Sequence, residues 1–345
     1  MPEPVSITYV GNFLSKHGLN PAYSELLVPK LERLGYRIAC ASTYLNPALR
    51  MADIVQRILR TPRRNACVIL DLYSGPRAFY AGSFAAGLCR AAGRRYIVVL
   101  HGGTLPGRLK TSRKRLARTV QGAARVISPS RYLAEELGSL APIDVIPNAL
   151  NLGDYPFRLR ERVLPSCFYL RAIHRNCGAL VAIEAMGRIS KEYPTAKLNM
   201  AGPEMDGSRG ECERLIAHYG LSGRVNLLGR ISKAEIIRYG NEADVFLNPT
   251  FADNTPVSVV EAMAMGLCVV ASRVGGLPYL LKHDETGLLV EPGDPGAFAE
   301  AVFRILREPG LAARLSRNAR TEVERMDWSK VLPHWKRAIE SVCQN

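Results

Sequence analysis

Two acidic residues eight positions apart, Asp253 and Glu261, have the types and spacing for chemistry on hydroxyl groups. Glu261 lies in the apolar stretch 256–265, which we predict to be a buried helix, where an unpaired carboxylate is costly. A vicinal diol, such as the edge of a ribose, would satisfy both of its oxygens. Asp253 lies on the preceding loop, where it can bond other hydroxyls. The alternative interpretation is that Glu261 pairs with an arginine and that Asp253 is a turn residue.

The residues between these acids predict a helix N-terminus. We expect Thr255 to be the N-cap and Pro256 to be the first helical residue, because proline in the first turn loses no hydrogen bond. The backbone amides of Val257 and Ser258 would then have no partner within the helix. Such a terminus favours a bound anion, for example a phosphate.

Two residues in the first half of the chain follow predicted strands and are further candidates. His101 comes after the strand 96–100 and precedes two glycines, which makes it the best catalytic candidate of that half. A structural histidine that only forms a hydrogen bond explains it equally well. Gly11 follows the strand 6–10, and a glycine there lets backbone amides approach a phosphate or a sugar. A single glycine loop is weak support, since no G-x-G-x-x-G pattern is present.

The elements that must position these residues form two series of alternating strands and helices. Strands are predicted at 6–10, 37–41, 66–72, 96–100, 124–127 and 143–146. After a linker at 148–165, strands are predicted at 167–170, 196–201, 225–228, 245–247, 268–271 and 287–290. Such alternation indicates right-handed crossovers on a parallel sheet. We therefore predict an α/β protein of two Rossmann-like, doubly wound domains facing across a cleft, with ligands at the carboxyl ends of the strands.

Length and composition agree with two globular domains and with a cytoplasmic protein. The chain has 345 residues, of which 47 % are hydrophobic and 22 % charged. It contains no apolar run long enough for a membrane span, and its start lacks the pattern of a secretory signal. Its eight cysteines are scattered, with no C-x-x-C pair, so we expect reduced thiols and neither a disulfide framework nor a zinc site.

The net charge of +15 is distributed unevenly. Residues 1–150 carry 21 basic and 8 acidic residues, a net charge of +13, whereas 151–345 carry 25 and 23, a net charge of +2. The densest stretch has no acidic residue and eight basic ones, namely Arg108, Lys110, Arg113, Lys114, Arg115, Arg118, Arg125 and Arg131. It predicts an anionic partner, such as nucleic acid, an acidic membrane surface or a phosphorylated substrate. The alternative is a solvated helix face. Because the stretch contains no aromatic residue, we do not expect nucleic acid.

Several motifs of the second half occur together in one known family. The segment beginning at Asp253 ends in Ala262-Met-Ala-Met-Gly266, and Val274-Gly-Gly-Leu-Pro278 and Thr286-Gly-Leu-Leu-Val290 follow it. With Ile146-Pro-Asn-Ala149 and the final Trp328-Ser-Lys-Val331, they resemble the retaining nucleotide-sugar glycosyltransferases of family 4 (glycosyltransferase group 1), which have the GT-B fold. The resemblance covers most of 140–345 and is weaker before it. Asp253 stands where the family usually has Glu.

The resemblance implies a role for each candidate residue. Glu261 would hold the ribose of the donor nucleotide, and Asp253 and His101 would meet the transferred sugar or the reaction centre. Backbone amides near Asn254 to Ser258, a segment that also contains Thr255, Pro256 and Val257, would hold the pyrophosphate or the sugar. Gly202 would lie near the nucleotide base, although a plain turn explains this glycine equally well. Arg171 matches the family's arginine, but no lysine stands before Gly178, so either Arg175 or a neutral residue takes that position.

It also implies an activity and an organisation. The expected enzyme is a metal-independent retaining hexosyltransferase that moves a sugar from a nucleotide diphosphate-sugar, its co-substrate, to an unidentified acceptor, with no cofactor. The expected setting is cell-surface polysaccharide or glycolipid assembly, with a lipid-linked acceptor and a peripheral position on the inner face of the membrane. The domains would be 1–153 for the acceptor, 154–325 for the donor, and a helix at 326–345 that returns to the first domain. The alternatives are a relative with weak or lost activity and a basic nucleic-acid-binding protein.

Overall fold

The structure, a computed structural model, describes residues 4–18 and 21–343. The chain divides into two compact units, Met1–Asn148 with Ser329–Asn345, and Ala149–Trp328. Each unit contains one six-stranded parallel sheet with helices between its strands. The predicted α/β class is confirmed.

The sheet of the first unit has the strand order β2-β1-β3-β4-β5-β6. Its strands are β1 (Ser6–Val10), β2 (Arg37–Ala41), β3 (Ala66–Tyr73), β4 (Tyr96–His101), β5 (Arg125–Ser128) and β6 (Asp144–Val145). The central strand β3 is buried over its first seven residues, as its nearly continuous run of apolar side chains requires. One polar residue, Asp71, interrupts that run.

The helices of this unit agree with the predicted alternation except at one place. They are α1 (Tyr23–Arg33), α2 (Pro47–Arg60), α3 (Pro76–Ala91), α4 (Arg108–Thr111), α5 (Arg113–Gln121) and α6 (Arg131–Leu137). The alternation predicts one helix between β4 and β5, but the structure has two, α4 and α5, separated at Ser112, whose φ of −150° lies outside the helical region. Ser and Thr side chains compete for backbone hydrogen bonds, which favours a helix end at this pair of residues.

The sheet of the second unit has the order β12-β11-β10-β7-β8-β9. Its strands are β7 (Ser166–Leu170), β8 (Lys197–Ala201), β9 (Val225–Gly229), β10 (Val245–Asn248), β11 (Cys268–Ser272) and β12 (Leu288–Val290). Its helices are α7 (Ala179–Glu192), α8 (Arg209–His218), α9 (Lys233–Glu242), α10 (Val257–Ala264), α11 (Leu277–Leu280), α12 (Pro295–Arg307) and α13 (Leu311–Glu324). The one-turn helix α11 was not predicted, because four residues are too few to show a helical period.

The last helix, α14 (Trp328–Cys343), contacts the first unit. The Arg95 guanidinium donates to the Val342 carbonyl at 2.9 Å, and Arg125 donates to the Ser341 hydroxyl at 3.0 Å. Trp335 of this helix is buried. Apart from the undescribed residues 1–3, 19–20 and 344–345, no helix has the length and apolar character that a bilayer crossing requires.

Candidate functional site

The sheet order of the second unit places two candidate residues side by side. From β7 the chain builds the sheet toward β9, then returns to β10 on the other side of β7 and continues toward β12. The loops after β7 and β10 therefore diverge, and ligands of doubly wound sheets bind at such a point. Arg171 follows β7 and Asp253 lies in the loop after β10. Their side chains form an ion pair of 2.7 Å between Nη1 and Oδ2.

Burial shapes the electrostatics of this pair. Burial raises the pKa of Asp253, against the opposing effects of the Arg171 charge and of the hydrogen bond from the Asn254 amide. Burial alone would lower the pKa of Arg171, but the Asp253 charge and the Cys177 thiol favour the cation, and its pKa lies above the ordinary value. The site therefore holds a persistent positive charge beside a destabilised carboxylate.

The N-terminus of α10 begins one residue later than expected. Pro256, with φ −69° and ψ 121°, is the N-cap, so the prediction that Thr255 caps the helix and Pro256 opens it is wrong. The reason is that the Pro256 carbonyl accepts the first helical bonds, from the amides of Val259 and Val260 at 3.1 and 3.3 Å. The amides of Val257 and Ser258 lie in the first turn and have no partner among the described residues.

Glu261 is half-buried, rather than buried as predicted, and its hydrogen-bond partner is a tyrosine, where the alternative interpretation expected an arginine. The Tyr155 hydroxyl donates to its Oε1 at 2.6 Å. Burial raises the pKa of Glu261, opposed by this hydrogen bond and by the charge of Lys233. Burial and the Glu261 charge raise the pKa of Tyr155 as well, which keeps the phenol a donor. The Lys233 ammonium lies 5.0 Å from the centre of the Tyr155 ring.

Two arginines hold the opposite end of α10. Arg160, which is fully buried, donates to the Met265 carbonyl and, at 2.9 Å each, to the carbonyls of Gly240 and Ala243. Arg320 donates to the Ala264 carbonyl at 2.7 Å. Cations at a helix C-terminus interact favourably with the partial negative charge there, so the two arginines stabilise this end of α10. Neither arginine was a sequence candidate.

Close backbone contacts fix the loops around Arg171 and Asp253. Gly202, after β8, has φ +146°, and a Cβ there would lie 2.0 Å from the Arg171 carbonyl oxygen. Cβ atoms at Gly275 and Gly276, after β11, would lie 2.1 and 1.9 Å from the carbonyl oxygens of Asp253 and Asn254. Gly202 thus supports the backbone of Arg171. Its expected place near a nucleotide base remains a prediction.

Arg175, the candidate replacement for the family's lysine, is bound elsewhere. Its guanidinium lies 2.7 Å from Glu211 of α8, and its backbone amide donates to Asp206 at 2.9 Å. The hydrogen bond from that amide and one from the Ser208 hydroxyl hold the pKa of Asp206 at about 2. In this structure Arg175 therefore contacts the segment after β8, and Arg171 is the arginine that meets Asp253.

Three buried polar side chains lie in the same part of this unit. They belong to Asn248 at the end of β10, Ser258 in the first turn of α10 and Ser272 at the end of β11. Their side-chain nitrogen and oxygen atoms have no hydrogen-bond partner among the described residues. Buried polar groups are normally paired, so these unpaired groups can take a polar ligand or water as their partner.

The first unit brings its own candidates together at an equivalent point. Its chain direction reverses between β1 and β3, where Gly11 follows β1 and Asp71 lies near the end of β3. A Cβ on Gly11 would lie 2.8 Å from the Asp71 carboxylate, which requires glycine there. His101, at the end of β4, places Nε2 3.0 Å from Asp71 Oδ1. Asp71 was not a sequence candidate.

The basic stretch forms a groove between α3 and α5. The groove has a volume of about 520 Å³ and is lined by Arg90, Lys110, Arg113, Lys114, Arg115 and Arg118. Arg125 lies elsewhere, paired with Asp144. Although the stretch itself has no aromatic residue, α3 supplies two: the Arg108 guanidinium lies 4.7 Å from the Phe79 ring centre, and that of Arg115 lies 5.1 Å from the Tyr80 ring centre.

Two solved structures share the fold over nearly the whole chain. Sucrose-phosphate synthase from Thermosynechococcus elongatus matches with a TM-score of 0.77 and 19 % identity, over 96 % of this chain and 98 % of that one. Anabaena HepE, solved in complex with UDP and glucose, matches with a TM-score of 0.73 and 18 % identity, over 98 % and 100 %. These neighbours are GT-B glycosyltransferases, so the predicted fold of two Rossmann-like domains is confirmed.

Sequence relatives and family models agree with the fold. The phosphatidyl-myo-inositol mannosyltransferase of Mycobacterium tuberculosis is 32 % identical over 61 % of this chain, and the D-inositol 3-phosphate glycosyltransferase of Pseudarthrobacter chlorophenolicus is 28 % identical over 62 %. The matches span 57 % and 54 % of those relatives, little more than half of their length. The model of Glycosyltransferase Family 4 matches residues 17–154, and that of Glycosyl transferases group 1 matches residues 165–322. The chain therefore belongs to the group 1 glycosyltransferases.

Proposed function

We propose that this chain is a retaining glycosyltransferase that moves a hexosyl group from a nucleotide diphosphate-sugar to a hydroxyl group of an acceptor. The observation that carries the proposal is the arrangement at the switch point of the second sheet. There the Arg171–Asp253 pair of 2.7 Å lies in the loops that flank the open N-terminus of α10. A cation and free amides suit a diphosphate leaving group, and a carboxylate suits sugar hydroxyls.

The donor is assigned to the second unit residue by residue. Glu261 takes the ribose hydroxyls, since Tyr155 holds only its Oε1. Asp253 takes hydroxyls of the transferred sugar. The amides of Val257 and Ser258 take the pyrophosphate or the sugar, with Asn254, Thr255 and Pro256 shaping the loop before them. The unmet polar groups of Asn248, Ser258 and Ser272 support a polar ligand at this end of the sheet.

The reaction is assigned without a metal ion or a cofactor. The bond from the anomeric carbon to the leaving phosphate oxygen breaks, and a bond to the acceptor oxygen forms on the same face of the sugar. The acceptor proton passes to the leaving phosphate. Negative charge develops on the diphosphate as the sugar becomes cation-like, and Arg171 with the amides of α10 would stabilise that charge. His101, in the first unit, is assigned to the reacting sugar.

The acceptor is assigned to a lipid-linked molecule in cell-surface polysaccharide or glycolipid assembly. Both relatives described above act, by their names, on inositol-containing acceptors, and one of these is a phosphatidyl lipid. The groove between α3 and α5 supports an anionic membrane surface as partner, which would place the protein at the inner face of the membrane. Acidic lipids attract clustered Lys and Arg side chains.

A binding protein with weak or lost activity is the second candidate. The observation that favours it is the contact of the Arg175 guanidinium with Glu211. Because Arg175 is bound there, it does not supply the positive charge that the family's lysine would provide. In that case nucleotides would still bind to the second unit, and transfer would be slow or absent.

The test is thermal unfolding with UDP, GDP, ADP and a short oligonucleotide, followed by transfer assays with the sugar donor of the base that binds. A ligand at 100 times its Kd adds about 2.7 kcal/mol of stability, which raises Tm by several degrees. We expect one nucleoside diphosphate to do so, and we expect Arg171→Gln to lower the transfer rate by about 100-fold or more. Arg188→Gln, an exposed change on α7, is the control and leaves the rate unchanged.

The outcomes separate the candidates. Transfer that survives EDTA and yields a product with the donor's anomeric configuration supports the proposal in full. Inversion of the configuration contradicts retention, and loss of activity in EDTA contradicts the metal-free assignment. Binding of a nucleotide without transfer supports the second candidate. A shift with the oligonucleotide alone overturns the enzyme assignment.

A further inference from the structure

A buried carboxylate in the first unit collects three hydrogen-bond donors. The side chain of Asp71 is 1 % exposed. Its Oδ1 lies 3.2 Å from the Tyr9 hydroxyl and 3.0 Å from His101 Nε2, and its Oδ2 lies 3.2 Å from the Tyr73 hydroxyl. These residues come from β1, β3 and β4, so the network spans the point where the chain direction of this sheet reverses.

The direction of each hydrogen bond follows from the chemistry of the partners. Burial, and after it the negative charge of Asp71, raises the pKa of Tyr9 and of Tyr73, so both phenols keep their protons and donate them. An ionised carboxylate only accepts. The imidazole nitrogen that faces Asp71 must therefore carry a proton as well.

The opposite ring nitrogen of His101 is left with a lone pair. In a neutral imidazole one nitrogen donates and the other accepts. Nε2 donates to Asp71, and Nδ1 has no partner among the described residues. The Tyr73 ring lies parallel to the imidazole, with ring centres 4.9 Å apart and planes 19° apart, which fixes the plane of the histidine.

We propose that Asp71 is a positioning residue that holds His101 as the Nε2–H tautomer, so that Nδ1 accepts a hydrogen bond from a hydroxyl group of a sugar or polyol substrate. This role rests on the proposed function. Tyr9 and Tyr73 keep the carboxylate in place, and Gly11 allows the first loop to pass directly over it. His101 then accepts a hydrogen bond from a hydroxyl group. In the other tautomer Nδ1 would donate to an oxygen atom, and the Nε2 lone pair would face the Asp71 carboxylate.

The first test is nuclear magnetic resonance of the histidine rings, which does not depend on enzymatic activity. The chain has six histidines, and the His101 signals are those that disappear in His101→Gln. We expect His101 to be protonated at Nε2 and unprotonated at Nδ1 at a pH where the ring is neutral. In Asp71→Asn the Nε2–H proton and nitrogen resonances shift, because a neutral amide replaces the charged acceptor. An Nδ1–H tautomer in the unchanged protein, or unchanged resonances in Asp71→Asn, would overturn the proposal.

The second test is a double-mutant cycle on transfer. If Asp71 acts through His101, Asp71→Asn lowers kcat by about tenfold or more and leaves the KM of the nucleotide-sugar nearly unchanged. In a His101→Gln background the same change has no further effect, whereas additive losses would contradict the positioning role. Asp53→Asn is the matched control: Asp53 is also buried in this unit, where it accepts from the Ser42 amide at 2.8 Å, and its loss leaves kcat unchanged.

The two tests separate this inference from the proposed function. If the unchanged protein transfers no sugar from any donor, the glycosyltransferase assignment falls. The resonances still show whether Asp71 sets the tautomer of His101. Normal nucleotide binding in Asp71→Asn shows that the second unit is folded, so that a loss of kcat belongs to the first unit.

Discussion

The charge of Glu261 lowers the stability of the folded chain. Its pKa is raised by burial, so the folded state holds the proton more tightly than the unfolded chain. The free energy of unfolding therefore falls as the pH rises from the unfolded pKa to the folded pKa, and the charged form costs stability at neutral pH. Glu261→Gln removes that charge and keeps an oxygen for the Tyr155 hydroxyl.

We expect Glu261→Gln to raise Tm, or leave it unchanged, at pH 7 and to weaken the binding of the nucleoside diphosphate by about 10- to 100-fold. Calorimetric titration measures the affinity, and unfolding between pH 4 and 8 measures the stability. Glu300→Gln, an exposed change on α12, is the control for both quantities. A clear loss of Tm at pH 7 with normal affinity would show that Glu261 is a structural residue.

The sequence indicated the chemistry of individual residues better than their partners. Asp253 and Arg171 were both candidates, yet nothing in the sequence joins them, since they meet only where β7 and β10 are neighbours. Tyr155 lies 106 positions from Glu261, in a stretch predicted to be a linker without period. Asp71 interrupts an apolar strand, and this interruption was the available signal for it. Contacts between distant residues depend on sheet order, which a hydrophobic pattern does not specify.

At the scale of elements the sequence was informative, because the hydrophobic period records which faces are buried. Every predicted strand is present, with ends that differ by one residue at most. The differences lie where local chemistry opposes the period. Ser112 ends α4, and the carbonyl of Pro256 makes it the cap of α10. The predicted functional roles of the site residues remain predictions.

The loop that carries Asp253 and Asn254 depends on a glycine of the next loop. Gly276 has an ordinary φ of −80°, so alanine there meets no backbone strain, but its Cβ would lie 1.9 Å from the Asn254 carbonyl oxygen. We expect Gly276→Ala to displace this loop, to cost about 1–3 kcal/mol of stability and to weaken nucleotide binding. Denaturant unfolding and calorimetric titration measure the two effects.

Gly153→Ala is the matched control for this change. A Cβ at Gly153 would meet nothing within 4 Å, and the residue belongs to the same unit. Its stability and its affinity should therefore stay near those of the unchanged protein. Equal behaviour of the two variants would show that the close approach at Gly276 does not support the site.

At the scale of the whole molecule, the two units have the same architecture, but the two halves of the chain differ in net charge. Both units place candidate residues where the chain direction of their sheet reverses, a consequence of doubly wound topology that needs no common chemistry. Residues 1–150, which form the first sheet and most of its helices, have a net charge of +13. The most closely spaced of their basic side chains line the groove between α3 and α5. A net charge concentrated in one unit is what the proposed anionic partner would require, and a solvated surface that keeps the protein soluble is the alternative.

Reversal of three exposed charges on α5 tests whether this partner is a membrane. Each Lys or Arg near an acidic bilayer contributes about 1 kcal/mol, so Arg113→Glu with Lys114→Glu and Arg115→Glu should weaken binding to phosphatidylserine vesicles by about 100-fold or more, measured by co-sedimentation at low salt.

The control is a second triple variant, Arg33→Glu with Arg63→Glu and Arg64→Glu, which changes the net charge equally at exposed positions of the same unit outside the groove. If both triple variants bind equally weakly, net charge alone attracts the vesicle. If the groove variant binds vesicles as well as the unchanged protein, the groove serves another anion. Inorganic phosphate or an oligonucleotide should then raise the Tm of the unchanged protein but not the Tm of the groove variant.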